Sequence, residues 1–230
     1  TNVVKPKGIT GTFATSGNGI QIKHGKYAGR LVQQYIGTDS AHNGYAYSVY
    51  SDDHGATWHA GNRIGNSFNE NKVVELSDGR LMLNSRNWGD GVGRLVAISD
   101  DGGVTWKNQY LDTALVDPEV NAGITRMNPQ ATSGKAAKEL LFTNANNSPY
   151  NWQIDVDRKG QWINRITGNV RYSCDNGATW PVSRVYHYGP HAYSSVTALK
   201  DGTFAVAYET KTDKEIRVGT FGREWLKPFC

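Results

Sequence analysis

The sequence predicts an all-β protein, a β-propeller of four-stranded antiparallel blades. Three observations predict it: an eight-residue motif that occurs three times, other motifs that repeat at a similar interval, and a composition rich in turn-forming and aromatic residues. The 230 residues include 26 glycines and 7 tryptophans, which suits many tight turns anchored by indole rings. No apolar pattern with a period of about 3.6 residues persists long enough to predict a sizeable helix.

The repeated motif has the pattern S-x-D-x-G-x-T-W and predicts a hairpin turn. Its aspartate can accept hydrogen bonds from nearby backbone N–H groups, and its glycine can adopt a positive φ. Its tryptophan can then anchor the turn in apolar surroundings. Strand-like segments precede all three copies, so each copy is predicted to close a pair of antiparallel strands. The copies, called boxes below, occupy residues 51–58, 99–106 and 173–180.

The spacing of the motifs predicts whole repeating units. The first two boxes begin at positions 51 and 99, 48 residues apart, and the sequences GRLV and GRLM begin at positions 29 and 79, 50 residues apart. That interval matches a propeller blade, so the chain is expected to supply roughly four blades. The third box follows after 74 residues, and the polar stretch 144–164 is predicted to be an insertion between two strands.

Charge and hydropathy exclude some classes of partner. The 25 basic and 21 acidic residues give a net charge of +4 without a run of Lys or Arg, so no nucleic-acid partner is expected, whereas a small anionic substrate fits. No segment approaches the roughly 20 apolar residues that span a bilayer, and no transmembrane segment is expected. Any export signal is expected to be removed or to lie upstream of Thr1.

The cysteines and histidines carry little information on their own. Cys174 and Cys230 can form one bridge or remain two buried thiols. The spacing of His187 and His191 would suit a metal on a helix, but the Gly-Pro pair between them argues against a helix there. No metal site and no cofactor are predicted.

Several polar residues are predicted to lie at strand ends, where a β scaffold usually builds its site. A single Glu or Arg at a strand end is more often a solvated surface charge, and a single Tyr is more often a core residue. Only the residues taken together therefore indicate a functional site. The set comprises NENK at residues 69–72, NSRN at residues 84–87, Arg165, and HAYSS at residues 191–195.

The order of these motifs resembles that of bacterial exo-α-sialidases, glycoside hydrolase family 33. The likeness covers nearly the whole chain, and it implies a six-bladed propeller of which residues 1–230 are a single portion that lacks the N-terminal blades. It rests on the three boxes and on the series ENKVVEL, NSR, NRITGNVR, AYSS and YE, which begin at positions 70, 84, 164, 192 and 208.

The resemblance implies a role for each matching residue. Tyr193 matches the nucleophile, and Glu70 matches the base that removes its proton. Arg86 and Arg165 match the second and third arginines of a triad that binds the substrate carboxylate. Glu209 matches the carboxylate that steadies the first arginine. The implied reaction is the hydrolysis of terminal sialic acids from glycoconjugates, with retention through a covalent sialyl-tyrosine intermediate.

Alternatives remain open for some of these roles. Asn121 is a candidate sugar contact, although an asparagine there also suits a loop turn. Glu75 could replace Glu70 as the base, but strand alternation would place it on the opposite face. Arg171 or Arg94 could replace the third arginine, although Arg171 directly precedes a box on a strand, which favours a structural role.

Two family residues have no match in the chain: the first arginine and the acid-base aspartate, which the family carries in its first blades. The N-terminal portion of the same propeller is therefore a predicted partner, besides sialylated glycans, and without it Glu209 is expected to lack the arginine that it would steady. A secreted or cell-surface bacterial protein is implied. The competing functions are a non-catalytic propeller that binds sialoglycans and a trans-sialidase.

Overall fold

A computed structural model describes residues 4–89, 92–146, 165–210 and 215–230. Its strands and helices confirm the all-β prediction, because the α-helices within these residues, α1 and α2, have only 5 and 4 residues, and the 3-10 helix Gly25–Tyr27 has 3. In chain order the elements are β1 Gly11–Ala14, β2 Ile20–Gln21, β3 Leu31–Thr38, β4 Gly44–Ser51, β5 His59–Ala60, β6 Phe68–Glu75, β7 Leu81–Asn87, β8 Arg94–Ser99, β9 Lys107–Asp112, β10 Gly123–Arg126, α1 Gly134–Lys138, β11 Leu140–Ala145, β12 Ile166–Ser173, β13 Val182–Ala198, β14 Phe204–Thr210, β15 Glu215–Phe221 and α2 Arg223–Leu226.

The chain divides into two compact units, and the first, Thr1–Asp112, contains two antiparallel sheets. One sheet has the order β1-β3-β4-β5, with β2 also paired to β3 beyond the end of β1. The other has the order β6-β7-β8-β9. A core cluster that includes Val32, Leu81 and Trp106 holds this unit together. Both sheets match the predicted blades.

The second unit, Thr113–Cys230, joins its strands β10 to β15 in sequential order. The long strand β13 has 17 residues and serves two sheets: it pairs with β12 up to Pro190 and with β14 from His191 onward. Its first half completes a four-stranded sheet with β10, β11 and β12. Its second half begins another sheet with β14 and β15. The prediction that residues 1–230 form a single domain stays a prediction.

Each box is the turn between the last two strands of a blade, as predicted. In the first box, Ser51 Oγ donates to Asp53 Oδ1 at 2.7 Å and accepts the N–H of Gly55 at 2.8 Å. The backbone N–H of Thr57 also donates to Asp53 Oδ1, at 2.8 Å. Hydrogen bonds from Thr57, above all from its hydroxyl, lower the pKa of Asp53 to about 2. The other two boxes repeat these contacts.

The boxes require two consecutive residues in the left-handed region of backbone space. The glycine has a φ between 81° and 93° in all three, as predicted. The residue before it also has a positive φ, between 57° and 70°, and is His54, Gly102 or Asn176. Glycine and asparagine adopt this conformation most readily. The turn therefore restricts a position that the pattern leaves open as x.

A disulfide joins Cys174 to Cys230, with the Cα atoms 6.4 Å apart. The bridge decides between the two alternatives for these cysteines. It ties the third box to the end of the chain, and a second tie lies beside it: Arg223 of α2 donates to the buried carboxylate of Glu139 at 2.8 Å. The C-terminal segment is thus fastened to the second unit at two points.

We expect the double variant Cys174→Ser/Cys230→Ser to lose about 4 kcal/mol of unfolding free energy, because the bridge closes a loop with a sequence separation of 56 and restricts the unfolded chain. Urea denaturation of the oxidised chain and the variant measures the loss. The reduced wild-type chain is the control and should unfold with the variant. Equal midpoints for the oxidised chain and the variant would contradict the expectation.

Candidate active site

Glu70 and Arg86, on neighbouring strands of the first unit, form an ion pair. Arg86 Nη1 donates to Glu70 Oε2 at 3.0 Å, and the side chains are 14% and 6% exposed. The register of β6 against β7 shifts between Phe68 and Asn71, so Glu70 lies in a β-bulge. Bulges redirect side chains and are frequent beside active sites. The structure thus brings together two of the residues singled out from the sequence.

Glu75 has a different environment and a structural role. Its two carboxylate oxygens accept the backbone N–H groups of Lys23, at 2.9 Å, and His24, at 2.8 Å. It thereby fixes the segment that follows β2. The bulge at Glu70 interrupts the regular alternation of side chains between the two faces of β6, so alternation no longer decides which of the two glutamates faces the site. Their contacts decide instead: Glu75 binds backbone N–H groups, whereas Glu70 pairs with Arg86, and this favours Glu70 as the candidate base.

Two buried basic side chains, Lys72 and Arg94, belong to the same sheet as the ion pair between Glu70 and Arg86. Burial lowers the pKa of Lys72 to about 7, with the positive charge of Arg94 adding to this effect and the negative charge of Glu70 opposing it. Arg94 is fully buried, and its Nε donates to Asn84 Oδ1 at 2.8 Å. A fully buried guanidinium cannot reach a ligand from solvent. The structure therefore favours Arg165 over Arg94 as a carboxylate-binding candidate.

Tyr193 and Glu209, in the second unit, are joined by a hydrogen bond. The backbone N–H of Tyr193 donates to Glu209 Oε2 at 3.1 Å. Tyr193 also lies in a β-bulge, because the register of β13 against β14 shifts between His191 and Ser194. The carboxylate of Glu209 thus accepts a backbone amide of the strand that carries the candidate nucleophile. That its arginine partner lies upstream stays a prediction.

Arg165 lies directly before β12, is 8% exposed, and approaches Tyr193. Its guanidinium carbon is 6.0 Å from the centre of the Tyr193 ring, and its Nη2 donates to the carbonyl of Glu119 at 2.7 Å. Arg171 instead donates from Nη2 to Asn146 Oδ1 at 2.8 Å. Arg165, rather than Arg171, is thus the arginine that the structure places beside the ring of Tyr193.

Asn121 belongs to the same loop as Glu119, the residue whose carbonyl binds Arg165. It is 2% exposed, and its Oδ1 has no hydrogen-bond partner among the described residues. Its proposed contact with the sugar stays a prediction. So does the role of Glu70 as the base for Tyr193; the two residues belong to different compact units. Residues 147–164, most of the predicted insertion, lie outside the described residues; the strands that flank them, β11 and β12, pair as expected.

Among the described residues, no group of three or more His, Cys, Asp or Glu side chains could hold a metal ion. In this part of the chain, no helix is long and apolar enough to cross a membrane.

Comparisons with known proteins agree on one family. The chain matches the BNR repeat-like domain family over residues 14–214. It is 44% identical to a sialidase of Micromonospora viridifaciens over 230 residues, which are 100% of this chain and 33% of that protein. It is 30% identical to an anhydrosialidase of Macrobdella decora over 84% of this chain and 25% of that protein. The solved structure of Hadza microbial sialidase Hz136 superimposes with a TM-score of 0.79 at 27% identity, over 98% of this chain and 40% of that one.

The fold and these comparisons define a partial β-propeller of the sialidase type. The chain belongs to the BNR repeat-like domain family, and its sequence is that of a bacterial sialidase-like portion. The resemblance inferred from the motifs is thereby confirmed. The chain spans about a third or less of the two curated relatives described above.

Proposed function

We propose that this chain is part of a retaining exo-α-sialidase that removes terminal sialic acids from glycoconjugates. The observation that carries the proposal is the contact between Arg165 and the ring of Tyr193, at 6.0 Å. A carboxylate-binding group beside a phenol is the pair that a sialic acid requires, because the sugar carries its carboxylate on the carbon to be attacked. The identity to sialidases supports the same substrate class.

The choice of tyrosine as nucleophile follows from charge. A carboxylate nucleophile would approach the substrate carboxylate against like charge, whereas a neutral phenol would not. The phenol has an ordinary pKa of about 10, so a base must remove its proton as the new bond forms. In the proposed reaction Glu70 is that base. Arginine is the suitable carboxylate ligand, because its fork donates two parallel N–H groups.

The proposed reaction has two steps. Tyr193 Oη attacks the anomeric carbon, its proton passes to Glu70, and an acid outside this chain protonates the departing oxygen. Water then attacks the anomeric carbon of the sialyl-tyrosine and gives one proton back to the acid outside this chain, the bond between that carbon and Tyr193 Oη breaks, and Glu70 returns its proton to Oη. Two displacements on one carbon restore the original configuration.

The missing parts of this site are proposed to come from the N-terminal portion of the same propeller. Those parts are the first arginine and the acid, and the chain's 33% share of its Micromonospora relative leaves room for them. A secreted or cell-surface location is also part of the proposal. The disulfide between Cys174 and Cys230 supports it, since disulfides persist in oxidising compartments.

An intramolecular trans-sialidase is the second candidate. The observation in its favour is the 30% identity to the Macrobdella anhydrosialidase. Proton NMR of the products from an aryl sialoside distinguishes the candidates. A retaining hydrolase releases the α-anomer of the free sugar first, whereas an intramolecular transferase releases an anhydro sugar. Binding without turnover would instead indicate a non-catalytic sialoglycan-binding propeller.

We expect Arg165→Ala to weaken the binding of a sialic-acid analogue by roughly 2 to 5 kcal/mol, because it removes one partner of a desolvated charge pair. Arg86→Ala should have an effect of the same order. Arg165→Lys should restore little, since an ammonium cannot form the paired bonds of the fork. Calorimetry on the chain together with the upstream portion measures the change.

Arg171→Ala is the matched control for this prediction. It removes an arginine that lies six positions after Arg165 and that donates to Asn146, and it should leave the affinity unchanged. Wild-type affinity in Arg165→Ala together with a loss in Arg171→Ala would transfer the role to Arg171.

A further inference from the structure

His191 occupies the junction between two sheets of the second unit. It is 1% exposed and lies on β13 at the point where that strand leaves β12. The last pair with β12 is Pro190 with Ile166, and the first pair with β14 is His191 with Thr210. The bulge that contains Tyr193 begins at His191.

The backbone of His191 connects the candidate site residues. Its N–H donates to the carbonyl of Arg165 at 2.8 Å. Its pairing partner Thr210 follows Glu209, the residue that accepts the N–H of Tyr193. The backbone of His191 is therefore hydrogen-bonded to Arg165, the residue proposed to bind the carboxylate. His191 also begins the bulge that contains Tyr193, the proposed nucleophile.

The ring of His191 is fixed on several sides. Its Nε2 is hydrogen-bonded to the hydroxyl of Tyr186 at 2.6 Å, and its ring stacks on Tyr208 with centroids 5.4 Å apart and an interplanar angle of 13°. A Cβ atom at position 168 would lie 2.4 Å from His191 Cδ2 and 2.6 Å from Tyr186 Cε2. Glycine at position 168 of β12 leaves the space that both rings fill.

The surroundings argue against an acid or base role for His191. Burial, with a smaller contribution from the nearby His187, lowers its pKa to about 4. The imidazole is therefore neutral near pH 7, and with 1% exposure it has no route to a substrate. A neutral, buried and fully packed ring suits the placement of neighbouring groups.

We propose that His191, held by the hydroxyl of Tyr186, is a positioning residue that sets both Arg165 and Tyr193 for the substrate. This inference rests on the proposed sialidase function. A loosened His191 ring would disturb the strand on either side of it: the carbonyl contact to Arg165 and the bulge at Tyr193. Displacements of about 1 Å at reacting groups can lower rates by about 100-fold.

The test compares Tyr186→Phe and His191→Phe, made in the full chain and assayed with the upstream portion on an aryl sialoside. Both variants keep an aromatic ring and lose the hydrogen bond. We expect kcat/KM to fall about 10- to 100-fold in each. Amide hydrogen exchange should quicken at residues 165–168 and 192–195. His191→Gln keeps a polar group on the side chain and should recover part of the activity.

Tyr172→Phe is the matched control. It removes another buried phenol hydroxyl of the same unit, one that donates to Glu139 rather than to His191. It should lower the melting temperature and leave kcat/KM and the exchange at residues 165–168 and 192–195 unchanged.

Two results would overturn the inference. One is wild-type kcat/KM in folded Tyr186→Phe and His191→Phe, and the other is a loss no larger than that of Tyr172→Phe at the same melting temperature. If His191→Phe does not fold, Tyr186→Phe decides alone. Absence of turnover by the wild-type chain in the presence of the upstream portion would instead overturn the proposed function, and this inference with it.

Discussion

Tyr193→Phe should abolish retaining hydrolysis of an aryl sialoside while the affinity for a sialic-acid analogue stays close to wild type. The substitution removes only the phenol oxygen, so the ring beside Arg165 remains and the covalent intermediate cannot form. A loss of kcat of at least about 1,000-fold is expected from the deletion of a nucleophile. Steady-state kinetics and calorimetry on the same preparation separate turnover from binding.

The matched control for Tyr193→Phe is Tyr188→Phe. Tyr188 lies on the same strand, β13, and is 80% exposed, so its hydroxyl should be dispensable. A fluorinated sialoside that traps the intermediate should label Tyr193, which peptide mapping can locate. Wild-type kcat in Tyr193→Phe, or a label on another residue, would show that the nucleophile is assigned wrongly.

The chain alone should have no measurable sialidase activity, and activity should appear when the upstream portion is added. The reason is chemical: this chain is proposed to supply the nucleophile, the base and two arginines, but not the acid or the first arginine. The edge of the second unit is consistent with a further partner. On β15, Ile216 and Val218 are 74% and 71% exposed, and among the described residues β15 pairs only with β14.

Mixing the chain with the separately expressed upstream portion tests this expectation. Hydrolysis and melting temperature are followed together, and both should rise on mixing. An upstream portion in which the acid-base aspartate is replaced by Asn is the control: it should raise the melting temperature without restoring turnover. Full activity of the chain by itself would contradict the assignment of the acid to another segment.

The repeated turns were the most predictable part of the fold. A box contains its own hydrogen-bond donors, acceptors and left-handed residues within eight positions, so its structure is decided locally. The turns between β6 and β7 and between β13 and β14 are local in the same sense: the N–H of Gly79 donates to the carbonyl of Leu76, and that of Gly202 to the carbonyl of Leu199. The participation of β13 in two sheets was not predictable from the sequence. Apart from the pair Gly189 and Pro190, no turn signal separates its two halves.

The candidate site was predictable in its residues but not in its contacts. Motif order selected Glu70, Arg86, Arg165, Tyr193 and Glu209, whereas the two β-bulges depend on register between strands and leave no mark in a single sequence. The partner of Glu209 was missed for that reason, since the N–H of Tyr193 would face elsewhere in a regular ladder. The interpretation of Glu75 also needed a contact across 52 positions, to Lys23.

The shared strand β13 has a consequence for how the second unit comes apart. In repeat proteins whose units meet only at their faces, one unit can melt while its neighbour survives. Here the last strand of one sheet and the first strand of the next are the two halves of β13, a single continuous strand of 17 residues. Displacing β13 from β12 therefore also disturbs its pairing with β14, and the reverse. The two sheets should therefore melt as one cooperative block, and a protease should find no cleavable linker between them.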